Sequence, residues 1–367
     1  MAQGILIEGK VRKIVDGDSA FGERIVHCDL GGGAAIAANR HAQARAVRAI
    51  DLHKTSPWMR FLRLCASLLN RLFRLEGEDY IWPIFLSAGS YEPQRGDELH
   101  WVLCPEIDLR QPLPSGVSLY VHDEWWSQGW AAYAALSSRF EYAPLFLPGL
   151  RHIIRNWLAK HCEKRLRRTA GLATMISPSR YMQQRYQKKG FQNVLYDPSQ
   201  LRLLTSEVRP ELVAPTSAQR TVDVIFYAPS ASWYRKGSDL TAALAYHFAD
   251  REMGEETERR LVLLGGYGAD GSKGTSANVE VLGRLSQDAL LSKMANAKVV
   301  VFLTRNDNLP NVIIEALAKG CLVLTTPFSG GVEASPDRVH LARSADMEAL
   351  TLQLRKLLDD AQCRSAV

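Results

Sequence analysis

Residues 307–320 read DNLPNVIIEALAKG, and this stretch decides the fold. Asn308 is a good helix N-cap, Pro310 suits a first helical turn, and Gly320 stands where a helix C-terminus favours a residue free to take positive φ. A run of buried type, KVVVFLT (298–304), precedes it, and another, CLVLTT (321–326), follows. Strand, helix, strand in this order is a parallel βαβ unit, and the ligand crevice of such a sheet lies at the carboxyl ends of its strands. The first-turn N–H groups of the helix, at Asn308, Leu309 and Asn311, have no helical carbonyl to bond, so with the helix dipole they favour a phosphate. Glu315 lies two turns after Asn308 and on the same face. An acid near the helix start, Asp307, and a second carboxylate on its inner face suit a ligand carrying both diphosphate and hydroxyls. Glu315 also stands four residues before Lys319, the spacing of an ordinary surface ion pair, and spacing alone does not choose.

Working outward, the second half of the chain repeats this alternation. TVDVIFY (221–227) reads as a strand, followed by Arg235-Lys236-Gly237 and a helix beginning near Ser238. LVLLG (261–265) and VEVLGR (279–284) read as further strands, and residues 346–360 as a late helix. The Pro-rich polar stretch 206–220 is the best linker. Upstream, RIVHCDL (24–30) reads as a strand, and Gly31-Gly32-Gly33 opens a helix through 34–49. A glycine loop between strand and helix lets a ligand or another backbone approach closely, although its spacing is not G-x-G-x-x-G. ELHWVLC (98–104) and VSLYV (117–121) read as buried strands, and the second runs into His122-Asp123-Glu124-Trp125-Trp126. A lone His is usually a core or surface residue, but at the carboxyl end of a parallel strand, with acids beside it, it is a candidate site residue. No internal repeat or low-complexity tract is present.

Composition and charge narrow the class. At 367 residues, with 46% hydrophobic and 23% charged residues, the chain has the length for two domains and the balance of a soluble globular protein. Six scattered Cys, with no C-x-x-C pair and no His at zinc spacing, predict reduced thiols in a cytoplasmic protein rather than a disulfide framework. The N-terminus lacks an apolar core of signal-peptide length, and no run is long enough to span a bilayer. Residues 1–205 hold 27 Lys+Arg against 19 Asp+Glu, while 206–367 hold 18 against 20, so the net charge of +6 resides in the first half. That suits a protein that meets an anionic surface with one domain only. Two amphipathic basic segments fit such a surface: 59–75, and 151–168, where seven Lys+Arg face one acid, Glu163. Their apolar stripes are read as core and their basic faces as able to rest on the inner face of an anionic membrane. A nucleic-acid partner is not expected, because the basic residues lack interleaved aromatics and no binding motif is present.

Residues 299–334 resemble the C-terminal signature of the retaining GT-B glycosyltransferases of the "glycosyl transferases group 1" family. That signature has two acids with seven residues between them, here Asp307 and Glu315, then a small-residue helix, a Gly, a strand and a Gly-Gly turn, here Gly330-Gly331 before Glu333. Asp in a DNLPN context is similar to the branch that builds exopolysaccharides such as colanic acid. The resemblance implies an α/β protein of GT-B architecture, two Rossmann-like parallel-sheet domains facing across a cleft. The expected boundaries are a 1–22 extension, an acceptor-side domain over 23–205, a linker over 206–220 and a nucleotide-sugar-binding domain over 221–367. It implies transfer of a sugar from a nucleotide-diphosphate sugar to a glycan or lipid-linked hydroxyl, with no cofactor and no metal. Lys236 and Arg235 would bind the diphosphate, Gly283 and Arg284 would line the base, and Gly32 and Gly33 would face the substrates. His122 would lie against the donor sugar, Asp307 would hold sugar hydroxyls and Glu315 the ribose. MISPSR (175–180) matches the segment before the last helix of the family's first domain.

Three departures from the family are visible. Many members carry an Arg five residues before the Lys, where this chain has Ala231. Most continue to a helix that crosses back onto the first domain, whereas this sequence stops at Val367, so the crossover is lost or the chain is part of something longer. Asp16-Gly17-Asp18 has the form of the metal-binding Asp-x-Asp of another glycosyltransferase fold, but it precedes the first recognisable strand and is read as a turn. Two other readings stay open beside the transferase: a non-catalytic GT-B protein that binds a nucleotide or partner, and a nucleotide-sugar epimerase on the same fold.

Overall fold

The computed structural model describes residues 6–7, 10–11, 24–27, 38–39, 42–43, 46–51, 61, 91–100, 112–121, 164, 167–168, 170–171, 173–198, 220–230, 236–252, 259–267, 278–344 and 346–363. Within the stretch read as an extension, strands β1 (Leu6–Ile7) and β2 (Lys10–Val11) form an antiparallel ribbon. The rest is built on two parallel six-stranded sheets.

The first sheet contains β3 (Arg24–His27), β4 (Arg48–Asp51), β5 (Asp97–His100), β6 (Ser118–Tyr120), β7 (Thr174–Ser177) and β8 (Val194–Tyr196), in the order β4-β3-β5-β6-β7-β8. Its neighbouring strands β3 and β5 are tied at one end by Arg24, which donates to Asp97 from Nε (2.8 Å) and Nη2 (3.1 Å), while Tyr91 Oη donates to the same carboxylate at 2.7 Å. Burial and that bond to Asp97 push the Tyr91 phenol well above its ordinary range. One expectation is corrected here. The helix read as running to residue 49 does not reach it: Ala46 is already in a turn, and residues 48–51 are β4. Ala46 takes φ +53°, its N–H donates to Gln43 O, and Val47 N–H donates to Ala42 O. These bonds form a Schellman closure, which satisfies the last helical carbonyls and turns the chain back into the sheet.

The second sheet holds β9 (Val222–Tyr227), β10 (Leu261–Leu264), β11 (Val279–Leu282), β12 (Ala297–Phe302), β13 (Leu322–Thr325) and β14 (Val339–Leu341), in the order β11-β10-β9-β12-β13-β14. Alternate residues of a strand point to opposite faces, and here both faces are apolar because helices cover both. Val224, Phe226, Leu261, Leu263, Val299 and Val301 pack with α2 (Ser238–Glu252) and α5 (Met347–Cys363). Their neighbours Ile225, Val262, Leu264, Val300 and Phe302 pack with α3 (Gln287–Ala295) and α4 (Asn311–Ala318). Helix α1 (Arg180–Lys188) belongs to the first sheet, where Ser179 caps it by accepting from Met182 N at 3.1 Å. Arg220, at the end of the stretch read as linker, is buried against the second sheet, with Nη2 donating to Lys319 O at 2.8 Å and Nη1 to Ala297 O. Cys321 is a free thiol, and burial pushes its pKa up to about 11. Among the described residues no helix is long and apolar enough to cross a membrane.

The order of the second sheet reverses between β9 and β12, and a crevice opens at such a switch point beyond the strands' carboxyl ends. Close packing at that edge depends on Gly237. It has φ +61°, and a Cβ there would lie 1.7 Å from Leu303 O. Gly237→Ala should therefore destabilise the protein by more than the ~1–2 kcal/mol that a left-handed backbone alone costs. Gly283→Ala, where nothing lies within 4 Å of the added carbon, should cost less than about 1 kcal/mol. Urea unfolding of the two variants checks both; equal losses would contradict the packing argument.

Candidate functional site at the switch point of the second sheet

Helix α4 begins later than its sequence suggests. The residue before a proline is pushed out of the helical region, so Leu309 cannot be helical and Pro310 becomes the N-cap (φ −67°, ψ 117°). Asn308 is thus not the cap. No side chain caps α4, and among the described residues the N–H groups of Asn311 and Val312 take no carbonyl. They remain available to an anion in front of the helix. The helix stops as expected, with Lys319 at the C-cap and Gly320 at φ +82°.

Asp307 lies in the loop between β12 and α4. Its N–H donates to Phe328 O (3.1 Å), its carbonyl accepts from Gly330 N (3.2 Å), and it bridges in parallel to Ser329. Glu315 is only 7% exposed, which excludes a surface ion pair, and its Oε1 accepts from Gln287 Nε2 at 2.7 Å. The two carboxylates converge on Tyr227, the last residue of β9. Burial first, then Glu315 and Asp307, raise the phenol's pKa, while Arg284 acts in the opposite sense. Four groups from four different segments thus share one electrostatic neighbourhood at the switch point. Tyr227 and Gln287 were not singled out from the sequence. Tyr227 reads there as an ordinary aromatic strand residue, and the one available sign was its place at a strand's carboxyl end.

Lys236 is half-buried in the turn that enters α2. Three contacts fasten that turn to the loop after β12. Gly237 packs on Leu303, Thr241 Oγ1 accepts from Leu303 N at 3.1 Å, and Arg305 makes a bidentate pair with Asp239, both bonds 2.7 Å. Arg305 is 1% exposed, so this pair is largely desolvated, and breaking it should be destabilising. Gly283 and Arg284 lie in an exposed turn after β11. Leu309 is buried and packs with Ile314. Asn311 is half-buried in the first turn of α4. Of the remaining expected residues, Gly32, Gly33, His122 and Arg235 lie outside the described residues, as do residues 16–18 and Ala231.

Asn308 is spent on the other domain. Its Oδ1 accepts from Ser179 Oγ, and its Nδ2 donates to Val121 O at 3.3 Å. Nearby, Glu333 accepts from the N–H groups of Arg180 (2.8 Å) and Tyr181 (2.5 Å) in the first turn of α1, where a carboxylate complements the helix dipole.

Residues 223–360, which span the second sheet, match the family Glycosyl transferases group 1. The second half of the chain is thus similar to a group 1 glycosyltransferase domain. No curated protein matches the chain. Across both sheets the fold is similar to a UDP-forming α,α-trehalose-phosphate synthase from Burkholderia xenovorans: 12% identity, TM-score 0.56, covering 94% of each chain. It is also similar to sucrose-phosphate synthase from Thermosynechococcus elongatus, at 15% identity and TM-score 0.56, covering 93% of this chain and 90% of that one. WaaG, a glycosyltransferase involved in lipopolysaccharide biosynthesis, gives 15% identity and TM-score 0.50 over 94% and 92%. The architecture is GT-B, with two parallel α/β sheets, and family and fold together support a glycosyltransferase.

The electrostatic neighbourhood has a measurable signature. Because the Tyr227 pKa is raised in the folded state, the unfolded chain loses this proton first as pH rises. Stability from this group is complete below about pH 10 and declines above it. In Glu315→Gln the phenol should titrate at lower pH than in the wild type. Difference absorbance against a Tyr227→Phe control reads this; an unchanged midpoint would separate Glu315 from Tyr227.

Proposed function

We propose that this glycosyltransferase moves a sugar from a nucleotide-diphosphate sugar to a hydroxyl acceptor with retention of anomeric configuration. The observation that carries the reading is the uncapped N-terminus of α4 at the switch point, with Asp307 just before it and the buried Glu315 on the helix, both acids raising the Tyr227 pKa. The leaving diphosphate gains negative charge, which must be met by groups already in place. Lys236, Arg235 and the N–H groups of Asn311 and Val312 supply them, so that no metal is required. Glu315, steadied by Gln287, takes the ribose hydroxyls, and Gly283 and Arg284 line the base. Asp307 takes hydroxyls of the sugar, and the same reading assigns His122 to the donor sugar and Gly32 and Gly33 to substrate binding. The boundaries 23–205 and 221–367, with 206–220 as linker, belong to this reading.

The acceptor we propose is a glycan or a lipid-linked hydroxyl in polysaccharide or glycoconjugate synthesis. The protein would work in the cytoplasm, on the inner face of the membrane. Support for this comes from the excess of basic residues in the first half of the chain. Lys164, Arg167 and Arg168 of the second basic segment, and Lys188 and Lys189 at the end of α1, extend that surface; Lys164, Arg167, Arg168 and Lys188 are exposed.

Lys236→Ala should weaken nucleoside diphosphate binding by roughly 1.5–3 kcal/mol, the scale of a charge-assisted hydrogen bond. Asp307→Asn should instead spare that affinity and reduce transfer, because its partner is the sugar. Calorimetry and turnover on the two variants separate these roles, and wild-type transfer in both would refute the site. Activity should survive EDTA; strict dependence on a divalent ion would count against the mechanism. Incubating the donor alone tests for an epimerised sugar, the product expected of the rival activity.

The membrane part has its own test. The protein should sediment with anionic vesicles at low salt and be released at high salt, as screening shortens the reach of the basic surface. Equal sedimentation with neutral vesicles would remove the electrostatic argument, and none at all would point to a soluble acceptor.

A further inference from the structure

The loop that carries Asp307 is held on both sides by the opposite domain. Asn306 and Asn308 are each 1% exposed, whereas Asp307 between them is half-buried. Asn306 Oδ1 accepts from Tyr181 Oη at 3.1 Å, and Tyr181 Oη in turn accepts from Arg185 Nη1 at 2.8 Å. Asn308 accepts from Ser179 Oγ and donates to Val121 O. Asp307 bridges in parallel to Ser329, with a bend at the residue on either side of it. Anchoring Asn306 and Asn308 to the first domain therefore fixes the backbone on both sides of Asp307, whose carboxylate is one of the groups that raise the Tyr227 pKa.

The fit leaves no slack. A Cβ on Gly330 would lie 1.9 Å from Asn308 O and 2.8 Å from Ser179 Cβ and Oγ, so three segments from two domains meet at one point. Glu333, three residues on, holds the first turn of α1 against this corner. Val121, which receives the Asn308 amide, immediately precedes His122 in the chain.

We propose that Asn306 and Asn308 are positioning residues through which docking of the Ser179–Tyr181 segment sets the Asp307 carboxylate. The carboxylate that takes the donor sugar is then correctly aimed only while the two domains are clasped, and Asn308 ties it to the strand end that leads into His122. Undocking of the first domain disarms the sugar site and leaves the nucleotide site on the second domain intact. This rests on the reading of Asp307 given under Proposed function.

The test uses Tyr181→Phe, which removes one hydroxyl, together with Asn306→Ala and the double variant. Three quantities are measured in the full chain: kcat for transfer, affinity for the nucleoside diphosphate, and affinity for the nucleotide sugar. Each single variant should lose about tenfold in kcat, the scale of one neutral hydrogen bond, and lose the part of the affinity that the sugar contributes. Nucleoside diphosphate affinity should stay within about twofold of wild type, which also shows that the second domain is folded. The double variant should be no worse than the poorer single, because both remove one interaction. Wild-type kcat in Tyr181→Phe, or strictly additive losses, would overturn the clasp. If the wild-type chain itself gains no affinity from the sugar and transfers none, the reading of the site fails, and the inference falls with it. The wild-type control tells these two failures apart.

Discussion

The corner where Ser179, Asn308 and Gly330 meet holds the two domains together and shapes the site between them. Ser179 does two things there. Its oxygen caps α1 by accepting from Met182, and its proton goes to Asn308. Gly330 is required because a side chain would collide with both partners. Glu333 then satisfies two of the N–H groups that the start of α1 leaves open, so the first helix turn is completed by a carboxylate from the other domain. Ser179 and Asn308 are buried and Glu333 half-buried, so each would carry a desolvation cost if the domains parted without water taking its place. The contact is therefore polar and directional rather than a greasy face, which suits a joint that must hold one geometry.

A second constraint lies inside the second domain. The turn bearing Lys236 and the loop bearing Asp307 come from opposite sides of the switch point, yet they are fastened by Gly237 on Leu303, by Thr241 and by the Arg305–Asp239 pair. The cation that would meet a diphosphate and the acid that would meet a sugar thus form one rigid unit. Substrate-facing groups on rigid elements need little reorganisation as charge develops, the condition under which fixed charges stabilise a transition state best. Glu315 is treated differently, with one oxygen held by Gln287 from a neighbouring helix. Its burial explains why an acid of that spacing is not the surface ion pair that its distance from Lys319 would allow.

Much of this was legible along the chain. Runs such as VIFY (224–227), VVVFL (299–303) and CLVL (321–324) are apolar at consecutive positions, the pattern of strands covered on both faces. The glycine after α4 and the Lys-Gly before α2 fell where expected, because positive φ is a local demand that few other residues meet. The start of α4 differs from the sequence expectation for an equally local reason. Asn308 has the side chain of a cap, but Pro310 displaces the helix start by excluding helical backbone at Leu309, and the amide then found partners in the other domain. The end of the first-domain helix is not legible in the sequence, because Ala46 closes it with positive φ, a conformation in which alanine gives no warning.

The sequence by itself determined the parallel α/β class, the strand that leads into Asp307 and the helix face that carries Glu315, since each follows from periodicity and from residues with narrow backbone preferences. Only the tertiary structure decided what those residues meet. Tyr227 beside both acids, Gln287 on Glu315, Asp239 on Arg305 and Ser179 on Asn308 are pairs separated by 28 to 129 positions. No local preference encodes such partners. They are chosen by the order in which the strands assemble and by the desolvation cost of leaving a buried polar group unpaired.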